Sequence, residues 1–222
     1  MKLRRLALAA ATAALAVTAA VGSASAATPA TVNVAHGIPG VAVDVCVGGS
    51  AVKANFKYGQ QFRAQLPAGS YTFKVRAHAA KPCKGALLIS KTVALTAGLN
   101  ATAVANYVGG KPALSIYVND LSGTTADKAT ISVVHAARAP KVDVWLNGGT
   151  APAITGLARH AAVGPVAVDK GVYSWWVSAQ GGYAPVIGPR VASLAGGHAY
   201  QIIAVGTKAS NYRFIVINQA GA

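Results

Sequence analysis

The chain states one pattern twice, and that duplication limits its fold more than any other feature. Residues 32–47 read VNVAHGIPGVAVDVCV and residues 131–146 read ISVVHAARAPKVDVWL. Set together without a gap, His36 falls on His135, Asp44 on Asp143, and Val43-Asp44-Val45 on Val142-Asp143-Val144. LPAGSYTFKV (66–75) then matches VDKGVYSWWV (168–177), LTAGLNATAV (95–104) matches LAGGHAYQII (194–203), and SIYVND (115–120) matches FIVINQ (214–219). Four blocks in one order, at a nearly constant offset, identify a tandem duplication. Two domains follow, 28–121 and 128–222, joined by a short polar linker at 122–127.

The period inside each copy is that of β-strands. Tyr71, Phe73, Val75 and Ala77 alternate with Thr72, Lys74, Arg76 and His78, so one face is apolar and the other charged. Val32, Val34 and His36 share a face. Val43, Val45 and Val47 share another, opposite Asp44 and Cys46. Turn signals recur at Ile38-Pro39-Gly40, Gly48-Gly49, Ala97-Gly98 and Gly109-Gly110. About seven short strands in a domain of this length bury a core only by facing two sheets together. The expected class is all-β: two tandem antiparallel sandwiches, immunoglobulin-like or prealbumin-like.

The N-terminus reads as an export signal. Lys2, Arg4 and Arg5 precede an apolar run from Leu6 to Val21, and Ala24-Ser25-Ala26 offers a cleavage site, so residues 1–26 are expected to be removed. No second long apolar segment follows, so the mature chain is expected to lack a transmembrane segment and to be secreted or loosely attached to the cell surface. Charge then becomes informative. The whole chain has 20 Lys and Arg against five acidic residues, all Asp. Such a surplus attracts polyanions and aids solubility. The basic residues are scattered singly, which argues against nucleic acid as the partner. Cys46 and Cys83 form an isolated pair, which in an oxidising compartment is expected to be a disulfide.

The repeated His36/Asp44 and His135/Asp143 pairs invite a catalytic or metal-binding reading. A triad needs an activated nucleophile beside the pair, and no Ser or Cys is repeated there. Two ligands per copy are too few for a metal unless the two domains share an ion. The simpler expectation is architectural: the His ring bonds backbone groups at a strand end, and the Asp accepts N–H groups from an adjoining loop. Gly69-Ser70-Tyr71 and Gly171-Val172-Tyr173 read as turn plus core strand, with the Tyr hydroxyl on a local backbone partner. The aromatic residues of the second copy differ. Trp176 replaces Lys74, Trp145 replaces Cys46, and both point away from the core, with Tyr183 close behind in a Gly-rich loop. Two expectations compete here. The rings form an exposed platform for a glycan or protein, or they pack against the first domain or cover the surface that Cys46 and Cys83 cover in the first copy.

The segments VAHGIPGVAVDVCV, VVHAARAPKVDVWL and LPAGSYTFKV together resemble the secreted bacterial "domain of unknown function 4397" family, in two tandem copies covering nearly the whole mature chain. The acidic residue common in the turn after the His is missing from both copies, and Arg138 occupies that turn in the second. The resemblance implies an exported sandwich module and no activity. The expected function is therefore non-catalytic, with no cofactor or metal: binding of an anionic cell-wall polymer, a glycan or a surface protein. The alternative is a metal-dependent or small-ligand hydrolase built on the His/Asp pairs.

Overall fold

A computed structural model describes residues 27–219. The expected export signal lies outside them. The first repeat folds into β1 (Ala30–His36), β2 (Val43–Val47), β3 (Ser50–Phe56), β4 (Gln61–Leu66), β5 (Gly69–Ala77), β6 (Leu87–Leu95), β7 (Asn100–Val108) and β8 (Lys111–Val118). The second folds into β9 (Lys128–His135), β10 (Val142–Leu146), β11 (Ile154–Leu157), β12 (Ala162–Asp169), β13 (Gly171–Ala179), β14 (Pro185–Leu194), β15 (Ala199–Val205) and β16 (Arg213–Asn218). A single 3-10 turn, Ala209–Asn211, precedes β16, and no α-helix occurs among the described residues.

Each repeat is two four-stranded sheets. The first repeat has the orders β4-β1-β7-β8 and β3-β2-β5-β6, and the second has β12-β9-β15-β16 and β11-β10-β13-β14. Strand for strand these orders are the same. β1 and β7 pair parallel, as do β9 and β15, and the other pairings are antiparallel. An immunoglobulin sandwich would place its first, second and fifth strands in one sheet. Here the first and second strands lie in different sheets, so of the two expected types the order is prealbumin-like. Eight strands form per repeat rather than seven. The register also moves the last matched block by one residue: Val104 pairs with Ser115, but Ile203 pairs with Ile215 rather than Phe214.

Alternation explains the cores. In the first sandwich Val32, Val34, Val43, Val45, Phe73 and Val75 point inward from both sheets. In the second, Ile131, Val133, Val142, Val144 and Val177 do the same around Trp175, which takes the place of Phe73 and is fully buried. Each such side chain contributes about 1.5–3 kcal/mol when removed from water. Two-residue turns close the hairpins at Gly48-Gly49 and Gly109-Gly110, where positive φ at both positions matches the strand twist.

The inner strands of the β4-β1-β7-β8 and β12-β9-β15-β16 sheets, β1, β7, β9 and β15, are buried on both sides. The outer faces of these sheets meet in a third cluster of Ala35, Val104, Val134, Ile203, Val205, Ile215 and Ile217. At one margin this seam turns polar. Asn119 donates to Asn100 Oδ1 (2.8 Å), Gln201 donates to Asn119 Oδ1 (3.3 Å), and Asn100 donates to the Gln219 carbonyl (3.2 Å). The molecule is thus four layers deep, and only β3-β2-β5-β6 and β11-β10-β13-β14 turn a whole face outward.

Candidate functional site

The repeated His and Asp residues are buried, and each is engaged separately. His36 ends β1 beneath Phe56, with ring centroids 5.4 Å apart. Its Nε2 lies 3.0 Å from the Val41 carbonyl, and its Nδ1 accepts the Ile38 N–H at 3.3 Å. His135 repeats the first contact, with Nε2 2.8 Å from the Pro140 carbonyl. Both rings staple the turn after their strand. Burial is the main influence on each and lowers its pKa, because a charged ring there would be poorly solvated.

Asp44 sits on the outward side of β2, in the other sheet from His36. Its Oδ1 accepts the Asn55 N–H (3.0 Å), and its Oδ2 accepts the Cys83 N–H (3.0 Å). Asp143 does the same work, accepting Gly156 N–H (2.6 Å) and Gly181 N–H (2.7 Å). In each repeat one carboxylate ties the β3 or β11 edge strand to the loop between the fifth and sixth strands. Asp44 has a further partner, His78 Nδ1, at 2.8 Å. Burial alone would raise the Asp44 carboxyl, but donation from Asn55, His78 and Cys83 outweighs it and holds the group below the usual carboxylate range. No hydrogen bond joins His36 to Asp44 or His135 to Asp143. Among the described residues no three His, Cys, Asp or Glu side chains gather as a metal site. The Tyr hydroxyls close local turns: Tyr71 donates to Pro67 O (3.0 Å) and Tyr173 to Asp169 O (2.8 Å).

The two outward faces are braced by different chemistry at the same position. In the first repeat Cys46 opposes Lys74 across the β2–β5 pair, and Cys46 and Cys83 form the expected disulfide, with a Cα–Cα distance of 6.1 Å. In the second repeat Trp145 opposes Trp176. Their rings stack 5.6 Å apart and 2° from parallel, and Tyr183 stands edge-on to both. The Trp145 indole donates to Ser178 Oγ (2.9 Å), and that hydroxyl donates to Gly182 O (2.7 Å).

This corrects the expectation of an open aromatic platform. Trp145 and Trp176 do point away from the core, but the 180–184 loop folds over them, leaving them 6% and 7% exposed. Tyr183 alone is open, at 62%. The loop, pinned by Asp143, turns the rings into a small second core where the first repeat has its disulfide.

The charged residues divide in the same way. Along β5 and the loop after it the first repeat presents Lys74, Arg76, His78, Lys81 and Lys84. At the positions matching Lys74, Arg76 and His78, on β13 and just after it, the second has Trp176, Ser178 and Gln180. Few acids are left unpaired at the surface. Asp44 and Asp143 are buried, while Asp127 pairs with Lys170 (2.7 Å) and Asp169 with Lys128 (2.9 Å). Asp120 accepts the Ser122 N–H. Nothing in the scattered sequence positions of these acids announces this sorting, since it arises from which face each strand position takes.

A family model described as "Domain of unknown function (DUF4397)" matches twice, at residues 30–145 and 130–222. The chain belongs to this family. Its two DUF4397 matches overlap across β9 and β10. Among solved structures, "The Bacillus anthracis TIE protein" is similar at 13% identity and a TM-score of 0.24, covering 82% of this chain and 34% of that one. The DUF4397 chain thus spans about a third of that protein's length. No curated protein matches it. Among the described residues no helix is long and apolar enough to cross a membrane.

Proposed function

We propose that this protein is an exported, non-catalytic module that binds an anionic polymer of the cell envelope. One observation carries the reading: the fold withdraws or pairs four of the five carboxylates, so the field at the surface is set by Lys and Arg. The outward β5 face and its loop, with Lys74, Arg76, Lys81 and Lys84, supply a contact area. Such a field concentrates polyanions and weakens as salt screens it, over about 8 Å at physiological ionic strength. The His and Asp groups that a hydrolase would need are occupied in holding turns. The buried tryptophan pair removes the main support for aromatic stacking on a sugar.

The test is retention of the mature chain on purified cell wall at low and high salt. Retention that falls with salt, and falls further in a Lys74→Gln/Lys81→Gln/Lys84→Gln variant, is expected. Failure to be retained at low salt overturns the proposal.

A further inference from the structure

A cleft lies where the two repeats meet, at the open edge of the second sandwich. It encloses about 650 Å³, within the range of small-molecule sites. Its apolar part is Ile187, Phe214 and Val216, from the gap between β14 and β16. Arg190, Arg213 and Tyr212 also line it, and the first repeat contributes Gly59 and Gln61. None of the lining residues is acidic.

At the matching edge of the first repeat the pocket lined by Leu88, Ile89, Tyr107 and Pro112 is much smaller, about 140 Å³, and the reason is local. There β7 and β8 are joined by Gly109-Gly110 alone, whereas β15 and β16 are joined by residues 206–212, which carry the 3-10 turn. That longer connection leans on the first repeat: Tyr58 donates its hydroxyl to the Asn211 carbonyl, and the Arg213 guanidinium lies over the Tyr58 ring, 4.5 Å from its centroid. Gly59 suits this contact, since its φ is +83° and a Cβ there would lie 2.6 Å from an Arg213 nitrogen. Stacking holds Arg213 by its face, and its five in-plane N–H donors exceed what Tyr58's hydroxyl can accept. Arg190 is exposed, opposes Trp175 across the β13–β14 pair, and matches Lys91 in the first repeat.

We propose that this cleft is a discrete site for a sugar-sized ligand bearing an oxyanion, phosphate or carboxylate. Arg190 and Arg213 meet the anion, and Phe214 and Tyr212 meet the ring. Planar guanidinium forks match oxyanion geometry, and an apolar floor beside them suits a ligand with one apolar face. The site does not depend on the diffuse surface charge invoked for polymer binding.

Calorimetric titration of the mature chain at about 0.15 M salt, where long-range attraction is screened, tests it with a hexose phosphate, glucuronate and neutral glucose. One-to-one saturable binding of either charged sugar, and none of glucose, is expected. Binding of only the phosphate or only the carboxylate assigns the anion. Arg190→Gln weakens binding by about tenfold or more, the loss expected for a charge-assisted hydrogen bond. Lys91→Gln leaves it unchanged. Arg213→Gln is read together with its melting temperature, and Arg213→Lys keeps the charge while losing the fork. No saturable binding of either charged sugar, or binding that Arg190→Gln does not weaken, overturns the site. Retention of Arg190→Gln on cell wall at low salt separates loss of the cleft from loss of the polymer reading.

Discussion

Replacing Trp176 with alanine distinguishes a structural indole from a ligand-binding one. In an open platform the ring would contribute little to folding, and truncating an exposed side chain would change stability by about 0.5 kcal/mol or less. Here the ring is covered, stacked on Trp145, edged by Tyr183, and its indole N–H donates to the Tyr183 carbonyl at 3.3 Å. Large aromatic-to-alanine changes in packed sites cost about 3–5 kcal/mol. This cluster lies under a single loop that water can re-enter, so the lower end, about 3 kcal/mol, applies. For a folded body of this size each kcal/mol lowers the melting temperature by about 2–4 °C, giving a drop of about 6–12 °C. Thermal unfolding followed by far-ultraviolet circular dichroism, with urea unfolding as a second measure, reads it directly. A melting temperature within about 2 °C of the parent would refute the assignment of these rings to a second core.

Four further outcomes follow from the same structure. Tyr183→Ala uncovers the stacked pair, and tryptophan emission is expected to shift to longer wavelength, with a stability loss of about 1 kcal/mol. Replacing both Cys46 and Cys83 with Ala opens a link between residues 37 apart in sequence. The chain-entropy model assigns that loop about 4 kcal/mol, to be read as a shift in urea midpoint. His36 and His135 have pKa values lowered by burial, so the unfolded chain binds more protons than the folded one. Their stabilisation is present above the unfolded value, about 6.5, and is lost as pH falls below it. Urea midpoints at several pH values between neutral and weakly acidic are expected to fall, and a flat profile counts against the buried rings. Asp143→Asn leaves one of two loop N–H donors without an acceptor and is expected to cost about 1–3 kcal/mol in the same assay.

The repeated strands were legible in the sequence because each kept one apolar face. Tyr71, Phe73 and Val75 alternate cleanly with Thr72, Lys74 and Arg76, and the matching pattern recurs in β13. Edge strands were harder to see. β3 is exposed at every residue except Phe56, so no alternation marks it, and it is held by one neighbour and by Asp44. β7 failed in the opposite way: six consecutive residues from Ala101 to Asn106 are buried because both of its faces are covered, which erases the period. The direction of Trp145 and Trp176 followed from alternation. Their cover depended on a loop folding back over the sheet, and the Gly181-Gly182-Tyr183 run was its only local sign. Arg190 and Arg213 stand 23 positions apart with nothing between them to link the two. Only the facing of the two sheets, which sets β14 and β16 at one edge of the second sandwich, brings them to one cleft.

The seam between the sandwiches shows what the duplication has become. At matched positions the second copy carries the larger or more apolar group, with Val134 for Ala35, Ile203 for Val104 and Val205 for Asn106, while Tyr58 and Tyr117 of the first repeat and Ala136, Ile215 and Ile217 of the second complete the seam. Small opposite large fits, whereas large opposite large collides and small opposite small leaves a gap. The halves have therefore ceased to be spare copies of each other. A chain carrying the second half alone would present a sticky aliphatic sheet, and one carrying two first halves would lack the wedge that closes it, so neither half can be cut out or shuffled as an independent bead.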